Sequence, residues 1–223
     1  MIFAKIDYIN LLPFYIFIKK NLKSSRVKAI INYKKSYPSL INKQFKRRQI
    51  DAAFISSVAS RGEKSLDLGI VAKDQVLSVL LIPGEYEKDI ESSTSNVLAK
   101  VLNLEGKIII GDKALIHYYK SENKEFIDLA QAWTQKYNMP FVFARLCYNS
   151  HQKQLKNLSK KFIQNKVKIP QYILKKYSQR SGISTSNILK YLERIDYKIS
   201  IKEKKSLKLF LKLSKNISYK EAK

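Results

Sequence analysis

Short apolar runs typical of buried β-strands alternate along this chain with helix-like segments of roughly ten residues. Strands that alternate with helices predict an α/β fold with a mixed or parallel sheet. In the first third, the predicted strands are "MIFAKI", "RVKAIIN", "IDAAFIS", "LDLGIVAK" and "VLSVLLIP", and the predicted helices are "PFYIFIKKNL" and "SYPSLINKQFKRRQ".

The pattern restarts after Pro83 with the helix "SSTSNVLAKVLNL", the strand "GKIIIGD", the helix "EFIDLAQAWTQKYN" and the strand "PFVFARLCY". From about His151 onward the chain is predicted to be helical and basic. The restart predicts two lobes joined by a hinge, with lobe one formed by residues 1–82 plus 146–223 and lobe two by residues 83–145. Such lobes leave a cleft between them, and ligands bind there at the carboxyl ends of strands.

The length of the chain and its few cysteine and histidine residues argue against a membrane protein, a disulfide-stabilised protein and a metalloprotein. A chain of 223 residues, 45% of them apolar, can bury a sizeable core and contains no apolar run long enough to span a membrane. Lys5 and Asp7 interrupt the apolar start, so we expect no signal peptide and a cytoplasmic protein. The single cysteine, Cys147, excludes an internal disulfide, and the spacing of His117 and His151 does not fit a metal site. No metal or other cofactor is expected.

The net charge of +25 raises the possibility of a nucleic-acid partner. Only 7 of the 43 basic residues are arginines, however, and phosphate and base recognition depend heavily on arginine. Residues 151–223 hold 20 Lys and Arg against 4 Asp and Glu, which is typical of a solvated helical surface. We therefore expect no specific nucleic-acid partner, although the charge can draw in a small anion.

Neutral polar side chains collect where the predicted strands end and a helix begins. Each is an ordinary helix cap or turn residue by itself, but together they suit a carboxylate, because hydroxyls and a helix N-terminus both favour anions. No nucleophile elbow, phosphate-binding loop or Cys/His pair accompanies them, and Asp112 is the best-placed carboxylate, at a position where a helix cap is common. The set is Asn10, Ser56, Ser57, Ser78, Ser93, Thr94, Ser95 and Asn96.

Two aromatic positions in the second half need separate interpretations. Trp133 shares one helix face with Phe126 and Leu129, which predicts core packing. Phe143 and Arg145 alternate on one face of a predicted strand, which leaves ligand contact open for both.

Six stretches together resemble the chorismate dehydratase family of the futalosine route to menaquinone, over roughly residues 1–150. Arg145 stands where many relatives are apolar, which leaves an added anion contact open. The stretches are "KIDYINLLPF", "RQIDAAFISSVAS", "LGIVAKDQVLSVLL", "SSTSNVLAKVL", "IIIGDKAL" and "DLAQAWTQKYNMPFVFARLCY".

The resemblance implies a two-lobed periplasmic-binding-protein-like fold of the second type that converts chorismate to 3-[(1-carboxyvinyl)oxy]benzoate. Asn10 and Ser78 are predicted to be catalytic, with Asn10 near the reacting ring. In the absence of an assured protein base, the enolpyruvyl carboxylate of the substrate is the conjectured proton acceptor. The predicted substrate-binding residues are Ser56, Ser57, Thr94, Ser95, Asn96, Asp112, Phe143 and Arg145.

Two other classes of function stay open at this point. A non-catalytic dicarboxylate-binding protein would bind chorismate without producing a new aromatic absorbance. A Lys-rich nucleic-acid-binding protein would bind duplex DNA site-specifically at moderate salt. The sequence does not decide the oligomeric state, and a homodimer is one option.

Overall fold

The computed structural model describes residues 1–21, 35–85, 87, 89–122 and 125–217; the predicted strand "RVKAIIN" lies outside these ranges. The order of helices and strands follows the predicted alternation in most of the chain. The helices are α1 (Leu12–Asn21), α2 (Pro38–Lys46), α3 (Ser93–Leu102), α4 (Gly111–Lys120), α5 (Leu129–Tyr137), α6 (Gln152–Gln164), α7 (Gln171–Ser181), α8 (Thr185–Leu192) and α9 (Ile201–Leu213), with single 3-10 turns at Ile9–Leu11 and Ser214–Asn216. The strands are β1 (Ala52–Ser56), β2 (Ser65–Ala72), β3 (Val79–Pro83), β4 (Gly106–Ile110), β5 (Ile127–Asp128), β6 (Phe141–Tyr148) and β7 (Ile195–Lys198).

The strands form two sheets. One has the order β1-β6-β2-β7 and the other the order β4-β3-β5, and every pair of these strands is antiparallel. Among the described residues, parallel pairing is confined to isolated bridges, of which Phe3 to Ala52 and Lys5 to Lys35 involve the predicted strand "MIFAKI". The expectation from the sequence is a mixed or parallel sheet; the strands pair antiparallel, and "MIFAKI" contributes parallel bridges in place of a continuous strand.

The C-terminal third differs from its all-helical prediction at one point. Residues Ile195–Lys198 form β7, which pairs with β2 at the edge of the four-stranded sheet. A strand of 4 residues is too short to show a period-two pattern, and its partner lies more than a hundred residues earlier in the chain.

Sheet membership indicates where the chain passes between the two halves. The whole of β3 belongs to the three-stranded sheet and the whole of β6 to the four-stranded sheet, so the two crossings are residues 73–78 and 138–140. The predicted lobe boundaries follow residues 82 and 145, and each crossing lies a few residues earlier in the chain. The division into two lobes stays a prediction, and we propose these crossings as its hinge.

Aromatic side chains fill the core where α5 and α9 pack near β6. Trp133 is fully buried, its ring contacts those of Phe141 and Phe210, and its indole N–H donates to Ser206 Oγ at 3.0 Å. The predicted core role of Trp133 is confirmed. Burial of a large apolar side chain of this kind stabilises a fold by roughly 1.5–3 kcal/mol. No helix within the described part of the chain has the length and apolar character that crossing a bilayer requires.

Candidate active site

A hollow lies where the N-terminal segment, the end of β1, the turn before β3, the start of α3 and the start of β6 meet. The hollow has a cavity volume of about 60 Å³, and together with its mouth, which is open to solvent, the space free of protein atoms is about 570 Å³. Its polar lining residues are Tyr8, Asn10, Ser56, Ser78, Ser92, Thr94 and Ser95, and its remaining lining residues are Ile6, Pro38, Phe54, Ile70, Val76, Val79, Ile110, Gly111, Phe143 and Ala144. Six of the predicted site residues therefore share one hollow.

Ser56 ends β1 and is held by a buried asparagine on α2. Asn42 Nδ2 donates to Ser56 Oγ at 2.9 Å, and the Ser56 N–H donates to Asn42 Oδ1 at 3.3 Å. The Ser56 oxygen thus accepts within the protein. Its own O–H proton has no acceptor in the described ranges and can be offered to a ligand.

Ser78 lies in the turn that leads into β3. Tyr191, from α8, donates its phenolic proton to Ser78 Oγ at 2.8 Å. The turn itself is fixed by the buried carboxylate of Asp128, which accepts the N–H groups of Val76 at 2.9 Å and Leu77 at 2.7 Å. Burial raises the pKa of Asp128, while these and two further backbone N–H groups oppose the rise.

Helix α3 begins at the hollow with a capped N-terminus. Ser92 Oγ accepts the Ser95 N–H at 3.1 Å and donates to Ser95 Oγ at 2.7 Å. Thr94 Oγ1 accepts the Val58 N–H at 3.1 Å, which joins this helix to the loop after β1. The helix dipole adds partial positive charge at the same place.

Four hydroxyls of the hollow share one hydrogen-bonding state. Ser56, Ser78, Thr94 and Ser95 each accept a hydrogen bond from the protein, and none donates to an acceptor among the described residues. A hydroxyl carries one proton and two lone pairs, so this arrangement leaves the four protons as donors for a ligand. Donors that are oriented in advance suit an oxyanion.

Asn10 faces these donors with an unused amide. The residue is 9% exposed, and its Oδ1 is buried without a hydrogen-bond partner in the described part of the chain. Its backbone is held firmly, since Tyr197 donates to the Asn10 carbonyl at 2.5 Å and Asp112 Oδ1 accepts the Ile9 N–H at 3.0 Å. An orphaned buried polar atom is costly, and this oxygen is available to accept a hydrogen bond from a bound molecule.

Tyr8 closes another side of the hollow. Its phenol donates to Glu91 at 2.5 Å, and its ring packs so closely on Gly111 that a Cβ there would lie 2.8 Å from the ring. Burial raises the pKa of Tyr8 far above its usual value, and the adjacent Glu91 raises it further. Tyr8 is therefore a neutral wall of the site and not a proton acceptor.

A β-bulge explains why the start of β6 lines the hollow with two consecutive residues. Ala144 pairs with Ile70 and Val142 pairs with Val71, so Phe143 is an extra residue opposite β2. A bulge interrupts the strict alternation of side chains. Phe143 and Ala144 both line the hollow as a result.

Arg145 does not join Phe143, and the expectation that the two share a face is corrected. The bulge changes the alternation between them. The guanidinium of Arg145 lies in a different groove, where it donates to the side chains of Ser60 at 2.9 Å and Ser65 at 3.0 Å and to the Ser60 carbonyl.

Ser57 and Asn96 are also outside the lining, contrary to expectation. The Ser57 hydroxyl donates to the Val142 carbonyl at 2.5 Å and is fully buried. The amide of Asn96 donates to the carbonyls of Asp89 and Ser92, each at 2.7 Å, and so fixes the loop that enters α3. Both residues shape the site without facing it.

Asp112 stands behind the hollow and not in its lining, which corrects its expected direct contact with substrate. One of its oxygens accepts the Ile9 N–H, and the other accepts from Arg180 at 2.5 Å. Burial raises its pKa, and the Ile9 N–H and Arg180 counteract this. Both oxygens are thus occupied by the protein.

Sequence reasoning missed several residues that build this site. Tyr8 stands two positions before Asn10, but a tyrosine after a strand carries no specific signal. The remaining residues lie 14 or more positions in sequence from the groups that they bind, so pattern alone could not find them. They are Asn42, Asp128, Tyr191 and Tyr197.

The lining contains no Lys, Arg, His, Asp or Glu among the described residues. In the same part of the chain, no group of three His, Cys, Asp or Glu side chains is close enough to hold a metal ion. The arrangement can bind an anion through neutral donors and orient a reacting ring, but it offers no evident protein base.

The sequence matches a family and a relative of known name. The family described as menaquinone biosynthesis matches residues 85–216. A protein of Campylobacter jejuni named chorismate dehydratase is 47% identical over 222 residues, covering 98% of this chain and 99% of the relative.

Two solved structures resemble the whole chain. Protein AF1704 of Archaeoglobus fulgidus has a TM-score of 0.63 at 10% identity and covers 95% of each chain. A structure titled as an ABC transporter of Parabacteroides distasonis has a TM-score of 0.57 at 14% identity, covering 96% of this chain and 91% of the other. The predicted periplasmic-binding-protein-like fold is confirmed.

Proposed function

Since the chain belongs to the chorismate dehydratase family of menaquinone biosynthesis, we propose that it removes water from chorismate to give 3-[(1-carboxyvinyl)oxy]benzoate. The observation that carries this proposal is the 47% identity over nearly the full length of a protein with that name. The hollow supports it because a substrate with two carboxylates suits a site built from neutral donors.

The carboxylates are assigned to the four hydroxyls and the start of α3. Ser56 and Ser78 offer their protons from one side of the hollow, and Thr94 and Ser95 offer theirs from the helix. A helix N-terminus contributes backbone N–H groups and a favourable dipole for an anion. The negative charge of the substrate carboxylates is thus compensated by the dipoles of the hydroxyls and of the helix.

Asn10 is assigned to the reacting part of the ring. Its side-chain amide has no partner among the described residues, so Nδ2 can donate a hydrogen bond to the oxygen of the departing hydroxyl and Oδ1 can accept a hydrogen bond from that hydroxyl. A group held in this way favours loss of water through orientation and through stabilisation of the developing charge.

The proton at C3 goes to the enolpyruvyl carboxylate of the substrate itself. No carboxylate or imidazole of the described residues lines the hollow, and the Tyr8 phenol donates to Glu91. The electron pair of the C3–H bond enters the ring as the C4–O bond breaks. The departing hydroxyl takes up the transferred proton and leaves as water, so no external acid, base or oxidant is needed.

Incubation of the purified protein with chorismate tests the proposal. We expect the enolpyruvyl benzoate by mass and a new aromatic absorbance, with an Asn10→Ala preparation as the control for contaminating activity. Binding of chorismate without product would instead support the non-catalytic binding protein. Site-specific binding of duplex DNA at moderate salt would favour the nucleic-acid alternative.

A further inference from the structure

Arg180, near the end of α7, binds two carboxylates that belong to different parts of the fold. Its guanidinium donates to Asp7 Oδ2 at 2.8 Å, to the Asp7 carbonyl at 3.2 Å and to Asp112 Oδ2 at 2.5 Å. The guanidinium also lies 4.3 Å from the ring centroid of Tyr177, which itself donates to Asp7 at 2.8 Å. Asp7 belongs to the N-terminal segment, and Asp112 belongs to α4, which directly follows β4 of the three-stranded sheet.

The four consecutive residues 7–10 are each tied to a different element. Asp7 is bound by Arg180, the Tyr8 phenol by Glu91, the Ile9 N–H by Asp112 and the Asn10 carbonyl by Tyr197. The side chain of Asn10 has no described protein partner to orient it. Its position in the hollow therefore depends on its backbone, and the bond from Ile9 to Asp112 is one of the two nearest restraints.

Asp112 needs Arg180 in order to serve as that restraint. Its carboxylate is largely buried, and each oxygen has one described partner, the Ile9 N–H for Oδ1 and Arg180 for Oδ2. A carboxylate removed from water requires such a partner to stay ionised and fixed. A lysine could pair with one carboxylate, but it lacks the planar fork that lets Arg180 reach Asp7 and Asp112 together.

We propose that Arg180 is a positioning residue for the dehydration, because it holds Asp112 against the Ile9 N–H and thereby sets the place of the Asn10 amide in the hollow. This inference rests on the proposed function for its kinetic consequences, but its structural consequence is independent of any reaction. Arg180 is not among the residues that line the hollow.

Hydrogen exchange of the ligand-free protein tests the structural step. In Arg180→Gln, we expect faster exchange at the Ile9 amide, while amides of the four-stranded sheet keep their protection. Arg194→Gln is the matched control, since Arg194 is an exposed arginine whose described side-chain bond is a 3.4 Å contact with Gln75. Unchanged protection of Ile9 in Arg180→Gln would overturn the proposal.

Kinetics test the positioning role. Because a shift of about 1 Å at a reacting group can cost about a hundredfold in rate, we expect kcat of Arg180→Gln to fall between roughly tenfold and a hundredfold, with KM changed much less. Arg180→Lys should recover part of kcat, and Arg194→Gln should match the parent protein. A rise in KM at constant kcat would contradict the proposal, since it would place Arg180 in substrate binding.

The pH profile distinguishes positioning from a merely structural role. Loss of Arg180 removes a cation that lowers the pKa of Asp112, whose pKa burial already raises. Asp112 should then take up a proton at higher pH, so the acid-side decline of kcat moves to higher pH in Arg180→Gln. The ionisable groups that act on Asp112 or feel its charge are Asp7, Tyr8, Tyr177, Arg180 and Tyr191.

A double-mutant cycle with Asp112→Asn completes the test. If Arg180 acts through Asp112, the loss of kcat in the double variant should equal that of the more affected single variant. If the losses of kcat in the two single variants instead multiply in the double variant, the proposal is overturned. Should Arg180→Gln not fold, Arg180→Lys replaces it in the cycle. If the parent protein does not convert chorismate, the proposed function is refuted. The hydrogen exchange of the Ile9 amide tests the structural step whether or not the protein converts chorismate.

Discussion

Asn42 forms two hydrogen bonds with Ser56, with its amide nitrogen 2.9 Å from the Ser56 hydroxyl and its amide oxygen 3.3 Å from the Ser56 nitrogen. This pair joins α2 to the end of β1 and turns a flexible hydroxyl into a donor of fixed direction. The hollow thus depends on side chains that never reach its surface.

Replacement of Asn42 by alanine should affect both the stability of the fold and the binding of substrate. Because two buried polar groups of Ser56 lose their partner, we expect the free energy of unfolding to fall by about 1–3 kcal/mol. Urea denaturation measures this, and the KM for chorismate should rise as well. Ser56→Ala should raise KM with a smaller loss of stability; equal stability losses would mean that Asn42 acts mainly through other contacts.

Asn10→Ala should abolish most of the turnover while the protein stays folded. Loss of one preorganised hydrogen-bonding group at a reacting centre lowers kcat by about a hundredfold. Steady-state formation of the aromatic product measures the loss. Asn165→Ala, at an exposed asparagine whose side chain bonds to the Lys161 carbonyl, is the matched control and should keep full activity. Full activity in Asn10→Ala would remove Asn10 from the mechanism.

Tyr191→Phe removes only the phenolic oxygen that fixes Ser78. The Ser78 hydroxyl then turns freely, and we expect kcat/KM to fall roughly threefold to tenfold, as for the loss of a hydrogen bond with a net value of about 0.5–1.5 kcal/mol. Tyr172→Phe serves as control, since Tyr172 is 74% exposed. If both variants behave alike, the orientation of Ser78 has no kinetic role.

Gly111→Ala should disturb the site through Tyr8. The glycine has φ +64° and a Cβ there would lie 2.8 Å from the Tyr8 ring, whereas Gly62 has φ +77° and open space around the same position. Both alanine variants carry the strain of a left-handed residue, about 1–2 kcal/mol, but Gly111→Ala alone also displaces the ring. Thermal unfolding should therefore show a larger loss for Gly111→Ala, and only that variant should lose activity.

Acid should destabilise the protein in part through Asp7. The hydrogen bonds from Lys35, Lys5 and Tyr177 outweigh burial and hold the pKa of this carboxyl well below its usual value. A folded pKa below the unfolded value gives stability that is present above about pH 4 and is lost as pH falls toward the folded pKa.

The stability difference between the parent protein and Asp7→Asn should therefore be largest at neutral pH and shrink below about pH 4. Urea midpoints measured from pH 2 to pH 7 check this expectation. Asp67→Asn is the control, because Asp67 is 65% exposed on its side chain and its pair with Lys204 lies at the surface. A difference that does not change with pH would contradict the assignment.

The alternation of strands and helices can be predicted from the sequence because it repeats over long segments. The polar positions at strand ends can be predicted in the same way. Asn10, Ser56 and Thr94 were found in this way and share the hollow. The face of Arg145 was not predictable, because one extra residue at Phe143 changes the alternation and leaves no mark in composition. Tyr191 could not be found either, since its partner Ser78 lies 113 positions away.

The locked hydroxyls make the hollow selective for the direction of hydrogen bonds and not only for charge. Since Ser56, Ser78, Thr94 and Ser95 already use an oxygen lone pair internally, the wall presents protons to its guest. An inhibitor that carries a nitro or amide oxygen in place of a carboxylate could use the same wall without a negative charge, whereas an ammonium group would meet the protons of these four hydroxyls.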